Sequence, residues 1–262
     1  MRAWVLALLG FVLVGAIVAT FVTQTRNDHP AVITAAPTTA AAPAPPNTLT
    51  PAEQAAGWKL LFDGKTTAGW RGYRQDKVPD GWQVIDGALD RVRNCGDLIT
   101  LEKYASFELT ADWRIAPGGN SGIMYHITED YPEPGMSGPE CQILDNVGGE
   151  DPQKAGWCYG LYRPPIDPKT GQPLDATHPA GQWNTTRLLV DGPHVTHWMN
   201  GVKYVEYDLW SDDWNQRVAH SKFTAWPKFA RAKSGYICLQ DHGAEVAFRN
   251  VKIRVIGKAD GK

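Results

Sequence analysis

The stretch "FELTADWRI", residues 107–115, decides the fold class, because apolar and polar residues alternate along its whole length. A two-residue period places the apolar side chains on one face of a strand and the polar side chains on the other. A strand with one buried and one solvated face is typical of an antiparallel sheet. A similar strand, "EVAFRNVKIRVI" at 245–256, lies near the end of the chain.

Turn signals elsewhere agree with this prediction. In "VTHWMNGVKYVEYD", residues 195–208, Asn200 and Gly201 join two β-prone runs, and Asn-Gly is the strongest two-residue hairpin signal. Asp-Gly pairs mark further turns at 86–87 and 191–192. No long amphipathic helix is indicated after residue 57. The sequence therefore predicts an all-β, two-sheet antiparallel sandwich of the jelly-roll kind.

The chain before this domain has a different composition. Residues 1–25 contain a run of twenty uncharged residues, 3–22, which as a hydrophobic helix would span about 30 Å, the thickness of bilayer hydrocarbon. We expect a membrane anchor with the domain outside the cytoplasm, or a secreted protein if the segment is a cleaved signal. Residues 26–49 are rich in Ala, Pro and Thr and predict a disordered linker. The β-sandwich domain is predicted to occupy residues 50–262, starting with a short helix capped by Thr50.

Charge and cysteine content exclude some classes of protein. The formal net charge is −2, so binding to nucleic acid is not indicated. The four cysteines form no C-x-x-C motif, so a zinc knuckle is not indicated. Cys141 and Cys158 are predicted to lie close enough for a disulfide in an exported chain.

Several predicted strands place amide and charged groups where a core strand would carry apolar ones. In "GPECQILDN", residues 138–146, Glu140 and Gln142 are two apart and share one face; Gln240 and His242 have the same spacing. A solvated sheet face would explain such pairs, but a sugar-binding cleft explains them better, because carboxyl, imidazole and amide groups bind and activate hydroxyl-rich ligands. The candidate catalytic residues are Glu140 and His242. The candidate substrate-binding residues are Asn120, His126, Gln142, Asn184, Gln240, Asp241 and Arg249.

These stretches resemble a known family. "GWKLLFDGKTTAGWRG", "GDLITLEKYASFELTADWRIAPGGNSGIMY", "GPECQILDN", "GQWNTTRLLVDGPHVTHWMNGVKYVEYD" and "GYICLQDHGAEVAFRNVKI" occur in the order found in the 3-keto-disaccharide hydrolase domain family. The resemblance covers about residues 57–256. It implies a concanavalin A-like fold and cleavage of glycosides already oxidised to a ketone at C3. His126 stands where the family usually has Arg.

The implied chemistry assigns expected roles. A C3 ketone acidifies the C2 hydrogen, so a base (Glu140 or His242) can remove it and the enolate can expel the glycosidic oxygen at C1. The other candidate binding residues would orient the sugar, and Arg249 would neutralise developing charge. No cofactor is specified; a divalent metal held by Glu140, Asp241 and His242 is possible in principle.

Two alternatives from other classes remain open. A non-catalytic carbohydrate-binding module of the same fold would need amides and aromatic rings, but no base. A conventional glycoside hydrolase needs two carboxyl groups at a fixed separation. Gln142 stands where a second carboxylate would be expected beside Glu140, which disfavours the hydrolase of conventional type.

Overall fold

The computed structural model describes residues 44–257. The predicted membrane segment, 1–25, and most of the predicted linker lie outside this range. Within 44–257, no helix is both long enough and apolar enough to cross a membrane.

Two antiparallel sheets form the domain, which confirms the predicted all-β sandwich. The large sheet has eight strands: β1 (Lys59–Leu60), β3 (Trp82–Ile85), β4 (Ala88–Arg91), β6 (Phe107–Ile115), β9 (Asn184–Asp191), β10 (His194–Met199), β11 (Val202–Asp208) and β13 (Val246–Val255). The small sheet has five: β2 (Trp70–Gly72), β5 (Leu98–Thr100), β7 (Asn120–Ile127), β8 (Glu140–Leu144) and β12 (Tyr236–Leu239). The strand order of the large sheet is β11-β10-β9-β6-β13-β4-β3, with β1 also paired to β13. The strand order of the small sheet is β2-β5-β12-β7-β8.

Strand β6 lies at the centre of the large sheet, between β9 and β13. Its five apolar side chains are all buried, as the alternation predicts: Phe107, Leu109, Ala111, Trp113 and Ile115. Side chains of the small sheet, including Ile123, Tyr125 and Ile143, belong to the same hydrophobic cluster. The core is therefore the layer between the two sheets, and the polar face of each sheet points away from it.

The predicted turn and cap are present. Asn200 and Gly201 join β10 to β11 with positive φ angles of 48° and 81°, as a tight hairpin of this kind requires. The short helix α1 (Pro51–Ala55) begins at Thr50, whose side chain forms a capping box with Glu53.

Three further short helical segments were not indicated by the sequence. Helix α2 (Asp212–Ala219) is capped by Ser211, and two 3-10 helices span Pro134–Met136 and Lys222–Ala225. All lie in connections between strands. Helix α2 has only eight residues, which is too short for its periodicity to stand out in the sequence.

An asparagine pair attaches the start of the described chain to the large sheet. The backbone N–H of Asn47 donates to the Asn250 side chain, and the backbone N–H of Asn250 donates to the Asn47 side chain at 2.8 Å. The Asn47 side chain also donates to the Gly87 carbonyl. Both asparagines have positive φ angles, which Asn tolerates better than most residues. Ordered contacts thus begin three residues before the predicted domain boundary at residue 50.

Cys141 and Cys158 face each other across an isolated antiparallel bridge, and both are buried. Backbone hydrogen bonds flank the pair on both sides, from Gln142 to Trp157 and from Tyr159 to Glu140. This is a non-hydrogen-bonded antiparallel pair, in which side chains approach most closely. Both thiols are free in the structure.

Candidate active site

The outer face of the small sheet carries the Glu140–Gln142 pair. In the register of β7 and β8, Gly122 lies opposite Gln142 and Met124 lies opposite Glu140. The intervening residues of both strands, such as Ile123 and Cys141, point inward and are buried. Alternation therefore aims the side chains of Glu140 and Gln142 away from the core.

A cavity of about 440 Å³ lies on this face, under the two 3-10 helices. It adjoins a polar recess of about 70 Å³ and a more open cavity of about 430 Å³. The main cavity and the polar recess share five residues: Glu140, Tyr159, Lys222, Gln240 and His242. Tyr159 and Lys222 also line the open cavity. The recess also includes Asn120, Gln142 and Asp151. Together these three adjoining spaces form one cleft, which we call the active-site cleft.

Glu140 lies where the main cavity meets the recess. Burial raises the pKa of its carboxyl to about 8, Asp97 and Asp151 add to the rise, and Lys222 opposes it. None of residues 44–257 forms a hydrogen bond with this carboxyl. A carboxyl group that is neutral at pH 7, unpartnered and open to a cavity is suited to proton transfer.

Gly122 makes room for the Glu140 carboxyl. A Cβ atom at position 122 would overlap the Oε1 atom of Glu140. The glycine on β7 therefore allows the carboxyl of the neighbouring strand to lie flat against the sheet.

Two amide side chains offer free acceptors to the same space. The Oδ1 atom of Asn120 and the Oε1 atom of Gln240 are buried and have no hydrogen-bond partner. Buried polar atoms are nearly always paired, so an unpaired acceptor lining a cavity marks a place where a ligand donor fits. Gln142 differs, because its amide donates at 3.3 Å to the Gln153 carbonyl.

His242 and Asp241 are adjacent but differently placed. His242 is exposed, lines the cleft, and has no hydrogen-bond partner within residues 44–257. The Asp241 carboxylate accepts the backbone N–H groups of Cys95 and Gly96 at 2.7 and 2.9 Å, and pairs with Arg91 at 2.6 Å. Burial opposes ionisation of Asp241, but these N–H donors and Arg91 hold its pKa below the usual value. Asp241 thus touches the main cavity with a carboxylate that already has protein partners.

Sequence comparison identifies the family. Residues 57–254 match the model of a 3-keto-alpha-glucoside-1,2-lyase-like domain. The chain belongs to this family. A relative from Bacteroides thetaiotaomicron, named 3-keto-disaccharide hydrolase, is 33% identical over 236 residues, which cover 76% of this chain and 79% of the relative.

Structural comparison agrees with the family match. A crystal structure of a Parabacteroides distasonis protein, described as a candidate glycosyl hydrolase, is 35% identical, with a TM-score of 0.74 and coverage of 81% of this chain and 100% of that one. A second Parabacteroides distasonis structure with the same description is 27% identical, with a TM-score of 0.56 and coverage of 76% and 99%.

Of the nine predicted site residues of this lyase-like domain, the structure brings six to the cleft: Asn120, Glu140, Gln142, Gln240, Asp241 and His242. Their roles stay predictions. The sequence predicted that Gln240 and His242 lie on a strand. Both lie beyond the end of β12, so they reach the cleft from the following loop.

His126 is not at the cleft. A bulge in β7 inserts one extra residue opposite β12, and His126 takes a positive φ of 55°. The ring is turned inward, where Nε2 lies 2.7 Å from the Ala105 carbonyl, and burial lowers its pKa. The predicted substrate-binding role of His126 is therefore wrong, because the extra residue in the bulge turns the side chain to the opposite face.

Asn184 and Arg249 belong to the large sheet, so the predicted binding roles do not fit their positions. Asn184 accepts the backbone N–H of His178 at 2.7 Å and a side-chain N–H of Asn200 at 2.8 Å. Arg249 lies on the outer face, 3.5 Å from Asp112, with its guanidinium 4.0 Å from the Trp183 ring centroid. The chain crosses between sheets after β12, which separates Arg249 from Gln240.

Sequence reasoning missed several other residues that line the cleft, among them Asp97, Asp151, Tyr159, Lys222 and Trp226. Burial, and then the nearby Asp241 and Glu133 charges, raise the pKa of Asp97 to about 6, although a backbone N–H of Asp241 opposes the rise. The Tyr159 hydroxyl donates to Asp151 at 3.0 Å. These residues lie in loops, at a strand boundary or at the start of a short 3-10 helix, where no periodic pattern indicates direction.

No metal centre is evident from side-chain geometry. Within residues 44–257, no group of three or more His, Cys, Asp or Glu side chains is arranged to hold a metal ion. Glu140, Asp241 and His242 all touch the main cavity, but Asp241 is engaged by Arg91 and by backbone N–H groups.

Proposed function

We propose that this protein cleaves glycosides whose sugar carries a ketone at C3. Family membership and the name of the Bacteroides relative support this substrate class. The observation that carries the proposal is the Glu140 carboxyl, unpartnered within the described residues, facing the cleft, and with a pKa near 8. Such a group is protonated at neutral pH and can donate a proton to a leaving oxygen.

Cleavage proceeds by elimination and then addition of water. His242, whose imidazole faces the cleft without a protein partner in the described chain, removes the acidified C2 proton. The enolate re-forms the ketone, the C1–O bond breaks, and Glu140 gives its proton to the departing oxygen. Ionised Glu140 then takes a proton from water, whose oxygen bonds to C1, and protonated His242 returns a proton to C2. Both side chains end as they began, and the net reaction consumes one water molecule.

Amide and aromatic groups of the cleft hold the sugar. The free oxygens of Asn120 and Gln240 accept hydrogen bonds from sugar hydroxyls, which gives these buried acceptors partners. The Trp226 ring lines the main cavity and supplies an apolar surface for the face of a sugar ring. These groups orient the substrate, and Glu140 and His242 act on it.

A conventional glycoside hydrolase is the second candidate, because Asp97 and Glu140 line one cavity. Both have raised pKa values, about 6 and about 8, and a pair of carboxyls tuned apart is the usual arrangement for acid and base in glycoside cleavage. The sequence alone disfavoured this class, because Gln142 stands where a second carboxylate would be expected beside Glu140.

One experiment separates these functions. The full-length protein is incubated with a 3-keto-glucoside and with the same glucoside unoxidised, and the products are followed by mass spectrometry. We expect cleavage of the keto substrate only. Cleavage of the unoxidised glucoside would favour the conventional hydrolase, and binding of either without turnover would favour a carbohydrate-binding module.

A further inference from the structure

Lys222 has a position that neither strand pattern nor family motif indicated. It opens the 3-10 helix Lys222–Ala225 and lines the main cavity, the polar recess and the adjoining open cavity. Among the residues that line the main cavity and the recess, Lys222 is the one Lys or Arg. The remaining ionisable groups there are carboxyls, a tyrosine and His242.

The ammonium group is held by aromatic rings. Its Nζ lies 4.4 Å from the Tyr159 ring centroid and 5.5 Å from that of Phe223. Within residues 44–257, no carboxylate lies within salt-bridge distance of it. Cation–π contacts position a charge without neutralising it, so the ammonium keeps a full charge to offer to a ligand.

Arg217, on the rim of the open cavity, shows the alternative arrangement. Its guanidinium pairs with Asp213 at 2.9 Å and donates to the Leu161 carbonyl at 3.1 Å. That cation is therefore already engaged, whereas Lys222 is not.

We propose that Lys222 is a catalytic group that stabilises the negative charge on the C3 oxygen while the C2 proton is absent. This inference rests on the proposed function, since only a 3-keto substrate forms such an enolate. The ammonium donates a hydrogen bond to the enolate oxygen and stays protonated throughout, so no proton is transferred through it. A fixed cation in a partly water-excluded site stabilises developing charge far more than it would in water.

The test compares Lys222→Met, Lys222→Gln and Lys222→Arg with Lys228→Met. Lys228 is the matched control, because it lies in the same segment but its ammonium is paired with Asp130 at 2.7 Å. With a 3-keto-glucoside, we expect Lys222→Met and Lys222→Gln to lower kcat by about 10²–10³-fold with a much smaller change in KM. Lys222→Arg should recover part of the loss, and Lys228→Met should behave as wild type. Thermal unfolding identifies any variant that fails to fold; either of the two neutral variants suffices for the comparison.

Two further measurements exclude a purely structural role. In deuterated water, exchange of the C2 hydrogen should slow in Lys222→Met by a factor similar to kcat, because enolate formation is the affected step. The alkaline limb of the pH–rate profile should move to higher pH in Lys222→Met, because removal of a nearby positive charge raises the pKa of Glu140. Lys222→Arg should leave that limb in place.

The outcomes are distinguishable. If the wild-type protein does not cleave the keto substrate, the proposed function fails and the role of Lys222 fails with it. If the wild-type protein is active but both neutral variants keep a normal kcat, or lose activity through KM alone, the role of Lys222 is wrong and the proposed function stands.

Discussion

The outer faces of the two sheets carry similar polar residues, but these residues differ in whether their charged groups have partners. On the large sheet the charged groups have partners of opposite charge: Glu108 is held between Arg187 and Arg254, and Asp112 lies 3.5 Å from Arg249. Single buried atoms of Asp90, Arg249 and Arg254 make no hydrogen bond, but each of these groups lies within 4.0 Å of an opposite charge. On the small sheet, the Glu140 carboxyl has no partner in the described chain, and the side-chain oxygens of Asn120 and Gln240 are unpaired.

This difference shows what distinguishes a binding face from a solvated one. Alternation puts polar groups on the outside of both sheets, so the pattern alone cannot separate them. Charge pairing does separate them, because a charged group that already lies beside an opposite charge has less to offer a ligand than an unpartnered carboxyl. We therefore expect changes on the small sheet to affect chemistry and changes on the large sheet to affect stability.

The largest expected effect is loss of turnover on the small sheet. Glu140→Gln keeps the shape of the side chain but cannot transfer a proton, and His242→Ala removes the proposed base. Each should lower kcat for a 3-keto-glucoside by about 10²–10⁴-fold. Arg249→Gln, on the large sheet, should leave kcat unchanged. Near-normal cleavage by both Glu140→Gln and His242→Ala would overturn the catalytic assignment.

A slightly smaller effect is expected from Gly122→Ala. The added methyl group would overlap the Glu140 carboxyl and displace it. Displacement of a catalytic group by about 1 Å can cost about 10²-fold in rate, so kcat should fall by that order while the domain still folds. Steady-state kinetics together with thermal unfolding test this. An unchanged kcat would show that the position of Glu140 is not critical.

The sequence predicted the sheets well and the cleft in part. The alternation of β6 and the Asn200–Gly201 turn are local signals, and both are present in the structure. Parity also placed Glu140 and Gln142 correctly, because β8 is regular. The position of His126 could not be predicted in this way, since the bulge that turns it inward depends on long-range pairing with β12.

Other features of the cleft depend on tertiary contacts. Arg249 and Gln240 are close in sequence, but the chain changes sheets between them, so only Gln240 reaches the cleft. Asp97 and Lys222 come from connections whose direction no periodic pattern encodes. The unpaired state of Asn120 and Gln240 is likewise visible only once the neighbouring groups are placed.

The next effect is a gain in stability on oxidation of Cys141, which follows Glu140 on β8. Because Cys141 and Cys158 lie opposite each other in an antiparallel β-bridge, we expect a disulfide reagent or a mild oxidant to form a disulfide bond between them. The bond should add about 2–4 kcal/mol to the free energy of unfolding. Mass spectrometry of digests and denaturant unfolding, with Cys141→Ser as control, measure this. Failure of the pair to form under oxidising conditions would show that the two side chains do not meet.

The smallest effects are on stability, and they should have opposite signs on the two sheets. Glu108→Gln leaves two arginines without their carboxylate and should lower the free energy of unfolding by about 1–3 kcal/mol at pH 7. Glu140 binds its proton more tightly in the folded chain, so wild-type stability should fall as pH rises from 4.5 through about 8. Glu140→Gln removes this dependence.

Denaturant unfolding at pH 5 and pH 9 tests the contrast. Glu140→Gln should exceed wild type more at pH 9 than at pH 5, whereas Glu108→Gln should be less stable at both. A stabilising effect of Glu108→Gln, or none of Glu140→Gln at pH 9, would contradict the division between paired and unpaired faces.

The asparagine pair at the start of the described chain has a geometric consequence for access. Asn47 is hydrogen-bonded to Asn250 on β13 and to the Gly87 carbonyl, so the first described residues lie against the large sheet. The cleft opens on the small sheet, and Asn47 is not among the residues that line it. The hydrogen bonds that hold the first described residues in place therefore leave the mouth of the cleft unobstructed by Asn47.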